Sequence, residues 1–178
     1  MLSALVLMPS NIGGTSAALG ALVRSLAALV PATVEGIVRD VSIVTDRADD
    51  GLRRVADHAG CRIVDEPTFE AGFATALAGA RSDLLFVLRA GIGFDRGLIN
   101  EIGMRLGPDP TIAGGFLLRE DHGGLMSRLL PNLAPIAGVI AARADLSGHP
   151  ASFKALVGGL KATQTLASRA QFWIDNPT

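Results

Sequence analysis

The sequence predicts an α/β protein, a three-layer α/β/α sandwich around a mostly parallel sheet. Three observations carry that prediction. Strand-like and helix-like segments alternate through residues 1–118 of the 178-residue chain. Two of the strands, Leu2–Met8 and Asp83–Leu88, are unbroken apolar runs, as in a sheet covered on both faces. Finally, Arg39–Val64 packs strand, helix and strand into one short unit. Such a unit crosses over right-handed and lays its two strands parallel.

The elements follow in order. Leu2–Met8 is the first strand, and Pro9–Gly14 a loop. Thr15 or Ser16 is placed to cap a helix carrying Leu19, Leu22, Val23, Leu26 and Leu29 at helical spacing, with Pro31 as its end. Val41–Thr45 is a β-branched strand, and Asp46–Asp50 a charged break with helix-capping character. Leu52, Val55, Ala56 and Ala59 mark one face of the next helix, Gly60 stops it, and Cys61–Val64 is the third strand. Phe69–Ala80 reads as an Ala-rich helix and Asp83–Leu88 as the fourth strand, followed by a glycine-rich loop, Arg89–Gly93. Asp95–Leu106 is a helix and Thr111–Leu118 a fifth strand.

The remainder is less regular. Gly123–Leu130 reads as a short helix, and Pro135–Ala142 as either a sixth strand or a buried helix. Pro150 and Ser152 open a last helix running to about Phe172, weakened by Gly158 and Gly159. The expectation is one domain, 1–178, with an α/β core over 1–118 and a reduced C-terminal part, 119–178, that ends in this helix.

Composition excludes several functions. Net charge is −1 and aromatic residues make up 4% of the chain, so neither the basic face nor the stacking platforms of a nucleic-acid binder are present. The single cysteine, Cys61, excludes an internal disulfide and reads as a small core residue in a reducing compartment. The N-terminus has no basic region before its apolar run, which breaks at Pro9. No unbroken apolar run reaches spanning length. The expected location is cytoplasmic. Phe172 and Trp173 beside Arg169 read as a tail docked on the core, with a homodimer contact or a membrane-interface touch as alternatives.

The layout of about the first 100 residues resembles glycosyltransferase family 2, with its GT-A nucleotide-diphospho-sugar fold. Val6–Asn11 is similar to the loop that ends that family's first strand, with Pro9 and Asn11 kept. Thr45–Gly51 is similar to its strand end in Asp followed by Asp-Gly. The resemblance implies a nucleotide-sugar ligand held by Pro9, Asn11, Asp46 and Asp50, and transfer of the sugar to an unknown acceptor. The chain departs from the family at the fourth strand. The family's Asp-x-Asp, whose carboxylates hold a divalent metal, is replaced by Arg89-Ala90-Gly91. Hard cations need carboxylate oxygens, so no metal site is expected.

Each candidate has a plainer reading. Asp46 is either a ligand for a base or ribose or the cap of the following helix; Asp49 and Asp50 read as helix N-terminal acids. Arg89 is either a metal substitute that pairs a diphosphate directly or a relic of a site no longer used. Glu120-Asp121 resembles the family's catalytic acid pair, with a solvated loop as the alternative. Gly91–Gly97 follows a strand, but its spacing is one residue too long for a dinucleotide fingerprint. The three histidines lie too far apart for a metal site. Three functions follow: a nucleotide-sugar transferase, a non-catalytic nucleotide-binding or interaction module on the same scaffold, and, more weakly, a Rossmann-like nucleotide-binding domain using Gly91–Gly97.

Overall fold

A computed structural model describes residues 1–8, 14–107, 114–121, 134–147, 152–160 and 163–172. The first half alternates as expected: β1 (Leu2–Leu7), α1 (Gly14–Val34), β2 (Val38–Thr45), α2 (Asp50–His58), β3 (Arg62–Asp65), α3 (Phe69–Gly79) and β4 (Leu84–Arg89). Then come β5 (Ile92–Gly93), α4 (Arg96–Leu106), β6 (Gly115–Glu120), β7 (Ile136–Ala142), α5 (Arg143–Leu146), α6 (Phe153–Gly158) and β8 (Thr163–Phe172).

Among the described residues the strands form one sheet in the order β3-β2-β1-β4-β7-β6-β8-β5. β1 runs parallel to β2 and β4, β2 to β3, and β6 to β8. β7 is antiparallel to β4 and β6, and β5 to β8. Alternate residues of each strand serve opposite faces. On β4, Leu84, Phe86 and Leu88 join α1, α2 and α4 in one core layer. Leu85 and Val87 join α3, α5 and α6 in the other. The three-layer sandwich is therefore present, with an antiparallel strand inside a mostly parallel sheet.

Several boundaries differ from the sequence expectation. The last helix is a correction: α6 stops at Gly158, and residues 163–172 are a strand. Leu166, Ala167, Arg169, Ala170 and Gln171 are good helix formers. The open edge of β6 nevertheless offers a ladder, and β8 takes it, pairing Gly115 with Thr163 and Glu120 with Ala170. Tertiary pairing here overrides local propensity. Among the described residues the C-terminal part thus closes with a strand rather than a helix.

Pro31 does not end α1, which continues to Val34. Proline removes one donor, but the next turn still closes, with the Glu35 amide on the Pro31 carbonyl at 2.9 Å. The stop is Gly36, at φ +72°, where the amides of Gly36 and Ile37 reach back to the Thr33 and Ala32 carbonyls. Ser16 lies inside the helix rather than capping it, as does the backbone of Thr15. Residues 136–142, left open between strand and helix, are a strand. The fifth strand begins at Gly115 and ends at Glu120, later than expected. The glycine-rich loop after β4 contains the short strand β5. Cys61 just precedes β3 and is half-buried, and that burial pushes its thiol pKa up. The expected helix at 123–130 lies outside the described residues.

By length and composition α1 could cross a bilayer, since residues 16–34 have a mean hydropathy of 1.7. The run-length reading missed this because Arg24 interrupts the stretch. In the fold Leu22, Leu26 and Leu29 are buried against the sheet, while Val23, Val30 and Val34 are exposed.

Candidate functional site

The parallel strands end on one edge, and most of the sequence candidates come out there. β2 delivers Asp46, β4 Arg89, and β6 Glu120 and Asp121. Leu7 is in register with both Val44 and Arg89. β1 therefore separates the Asp46 and Arg89 strands by two strand spacings, roughly 10 Å. Pro9 and Asn11, which the resemblance also places here, lie outside the described residues.

The loop after β2 is pinned from both sides. The Arg47 amide donates to Thr45 Oγ1 at 3.1 Å, and the Ala48 amide to Asp65 Oδ1 at 3.3 Å. Asp65 also pairs with Arg53. Asp49, not Asp46, caps α2: its Oδ1 accepts the Leu52 amide at 2.8 Å. Asp50 is the exposed first residue of that helix, a place where acids are favoured. The capping alternative for Asp46 is thereby removed. Asp46 is exposed and has no partner among the described residues, so its carboxylate projects from a fixed loop toward solvent.

At β4 the picture is different. Arg89 Nη1 donates to Glu120 Oε1 at 3.1 Å, reaching over the start of β7, the strand that lies between them. Glu120 is 5% exposed, whereas the Arg89 side chain keeps about a third of its surface. Asp121 is exposed, and its amide is anchored on the Ala170 carbonyl at 2.7 Å. The two acids thus diverge, Glu120 inward onto Arg89 and Asp121 outward.

The residues at this strand end do not fit a divalent cation. The first position carries a guanidinium, and the third is Gly91 at φ +90°, a conformation side-chain-bearing residues rarely adopt. Its amide is held by Ser25 Oγ at 3.0 Å and by the Ala21 carbonyl at 3.1 Å. Among the described residues no three His, Cys, Asp or Glu side chains gather as a metal would require. Gly93 lies in β5 and Gly97 in the first turn of α4, which Asp95 caps. The glycines of 91–97 therefore serve a turn, a strand and a helix start.

Sequence reasoning missed two arrangements. Glu101 on α4 accepts the amides of Ala167 and Ser168, each at 2.8 Å, and Arg105 Nε at 3.1 Å. Those amides sit where β8 slips register against β6, so Glu101 holds the irregular stretch. The second is a cleft walled by α1, the β5–α4 connection and β8, with Arg24, Asp95 and Arg169 in its lining. Neither could be found with 163–172 read as helix.

No protein-family model matches the chain, and no curated protein matches it. Solved structures do. Glucosyl-3-phosphoglycerate synthase from Mycobacterium tuberculosis, in complex with Mn²⁺, UDP and glucosyl-3-phosphoglycerate, is similar with a TM-score of 0.61 and 16% identity. That match covers 92% of this chain and 68% of the synthase. The same enzyme with Mn²⁺, UDP-glucose and phosphoglyceric acid gives the same values. A structure described as a mycobacterial protein matches with a TM-score of 0.60 and 17% identity, over 96% of this chain and 64% of its own. At this identity the likeness establishes the fold, which is GT-A-like.

Proposed function

We propose that this chain binds a nucleotide-diphospho-sugar at the carboxyl edge of its sheet, as a divergent protein of glycosyltransferase family 2 type, and does so without a divalent metal. The observation that carries the reading is the placement of Asp46 and Arg89 on strands flanking β1, in a GT-A-like fold. Asp46, exposed and unengaged by neighbouring side chains, accepts hydrogen bonds from the base or ribose. Arg89 pairs with the diphosphate in the place of a cation. The resemblance adds Pro9, Asn11 and Asp50 to the same ligand.

Sugar transfer on this frame is a direct displacement. The acceptor hydroxyl attacks the anomeric carbon, the bond to the diphosphate breaks, and the hydroxyl proton passes to Asp121 as base. Arg89 compensates charge on the departing diphosphate. A second reading is favoured by one contact. Glu120 already holds Arg89, which suits a non-catalytic nucleotide-binding or interaction module whose arginine no longer meets a leaving group.

Calorimetry with UDP, GDP and their sugars, with and without Mn²⁺, tests the reading. Binding of one of them that is independent of Mn²⁺ and lost in Asp46→Asn supports it, and absence of binding to all refutes it. A coupled assay for released nucleoside diphosphate then separates transferase from binding module.

A further inference from the structure

Helix α1 is apolar on its outer side as well as its inner one. Residues 16–34 carry one charge, Arg24, and only a third of that stretch is buried. Among the described residues, three of the five exposed large apolar side chains lie on it: Val23, Val30 and Val34, the last 82% exposed. A surface helix normally turns charge outward, as the neighbouring α2 does with Arg53, Arg54, Asp57 and His58. A continuous apolar outer face marks an interaction surface.

The spacing of that face narrows the partner. Ser16, Gly20, Val23, Ala27, Val30 and Val34 recur at alternate steps of four and three, the seam of a helix that packs along another helix. All are exposed except the half-buried Gly20. A base and an acid flank the seam. Arg24 lines the cleft beside Asp95, and Glu35, just past the helix, reaches Arg96 at 3.9 Å, so both lie on the α4 side. Consider a second α1, antiparallel about a two-fold axis between Ala28 and Leu29. It sets Val23 against Val34 of the partner subunit and Ala27 against Val30 of the partner subunit. The same operation brings Arg24 to within about 3 Å, measured along the helix, of Glu35 of the partner subunit. A two-fold interface must complement itself, and this flank does. Neither residue has to give up its contacts within the chain, because the charges set orientation and the aliphatic seam carries the affinity. A lipid surface asks for aromatic side chains and a basic rim; this face has no aromatic residue, and its rim is mixed in sign.

We propose that this face binds a second copy of the chain, α1 against α1 in an antiparallel two-fold pair. A single helix seam is at the low end of specific interfaces, so the dissociation constant is on the order of micromolar. The pairing does not rest on the nucleotide-sugar reading.

Sedimentation velocity of the full chain, from about 1 to about 200 µM, tests it. A monomer–dimer equilibrium is expected. Val30→Glu and, separately, Val23→Glu raise the dissociation constant about tenfold or more, since each places an unpaired charge in the seam. Both sites are exposed, so each variant keeps the fold of the unaltered monomer, read by far-UV circular dichroism. In a Cys61→Ser background, a short bismaleimide joins copies carrying Ala27→Cys, close to the axis. It joins copies carrying Val34→Cys far less, because those positions lie roughly 16 Å apart along the helix. No dimer up to about 200 µM, a dimer indifferent to both glutamate variants, or equal cross-linking at 27 and 34 overturns the proposal. So does a monomer that floats with anionic phospholipid vesicles, which makes lipid the covering partner.

Discussion

Arg89 holds Glu120 at 3.1 Å across the strand that separates them. The contact joins the position where the related family keeps a metal-binding acid to one of the two candidate catalytic acids. A diphosphate reaching Arg89 would share its guanidinium with Glu120.

Glu120→Gln is the direct test of that competition. Removing the carboxylate charge relaxes this hold on Arg89 and weakens a partly buried ion pair. Stability is expected to fall by about 1–2 kcal/mol, between the values for exposed and buried pairs. Affinity for a nucleoside diphosphate is expected to rise. Urea unfolding reads the first and calorimetry the second; tighter binding should vanish when Arg89→Ala is added.

Asp46 and Asp49 sit three residues apart and have opposite roles. Asp49→Ala removes the cap of α2 and is expected to cost about 1 kcal/mol in urea unfolding. Asp46→Ala touches no contact among the described residues and is expected to leave stability within about 0.5 kcal/mol. Nucleotide binding responds the other way round, lost with Asp46 and kept with Asp49.

Glu101 gives the protein an acid-sensitive clasp. Burial raises its pKa, but the amides of Ala167 and Ser168, the Ser168 hydroxyl and Arg105 together outweigh it, and the net shift is downward. A lowered folded-state pKa means stability that is full above the unfolded value, about 4.3. It is lost as pH falls through the folded value. Urea midpoints recorded from pH 7 to pH 3 should drop over that lower range, and Glu101→Gln should flatten this part of the profile. At pH 7 the same variant is expected to lose about 1.5–3 kcal/mol, the worth of charge-assisted hydrogen bonds.

Gly138 marks how tightly β7 is wedged into the sheet. A Cβ there would stand 2.7 Å from Leu88 Cδ2 and 3.0 Å from the Val87 carbonyl oxygen. The leucine can move, but the backbone of β4 cannot do so cheaply. Gly138→Ala is expected to cost about 1–3 kcal/mol by overpacking. A shift of the thermal midpoint with an unchanged far-UV spectrum is the expected readout.

The sequence by itself determined the strand–helix alternation through residue 118, because each element there carries its own signal. Strands are apolar runs, the acids of 46–50 make a break with capping character, and Gly60 is a helix stop. It also determined that Asp46 and Arg89 reach one edge, since parallel strands joined by crossovers must end together. Tertiary structure alone decided the rest. Thr163–Phe172 includes five good helix formers, and it is a strand paired with the open edge of β6, a partner far away in sequence. With that strand came the Glu101 clasp and the cleft, neither of which has a local signature. The Arg89–Glu120 contact likewise joins residues 31 positions apart. Charge pairing depends on where side chains meet in space, and periodicity along the chain does not encode that.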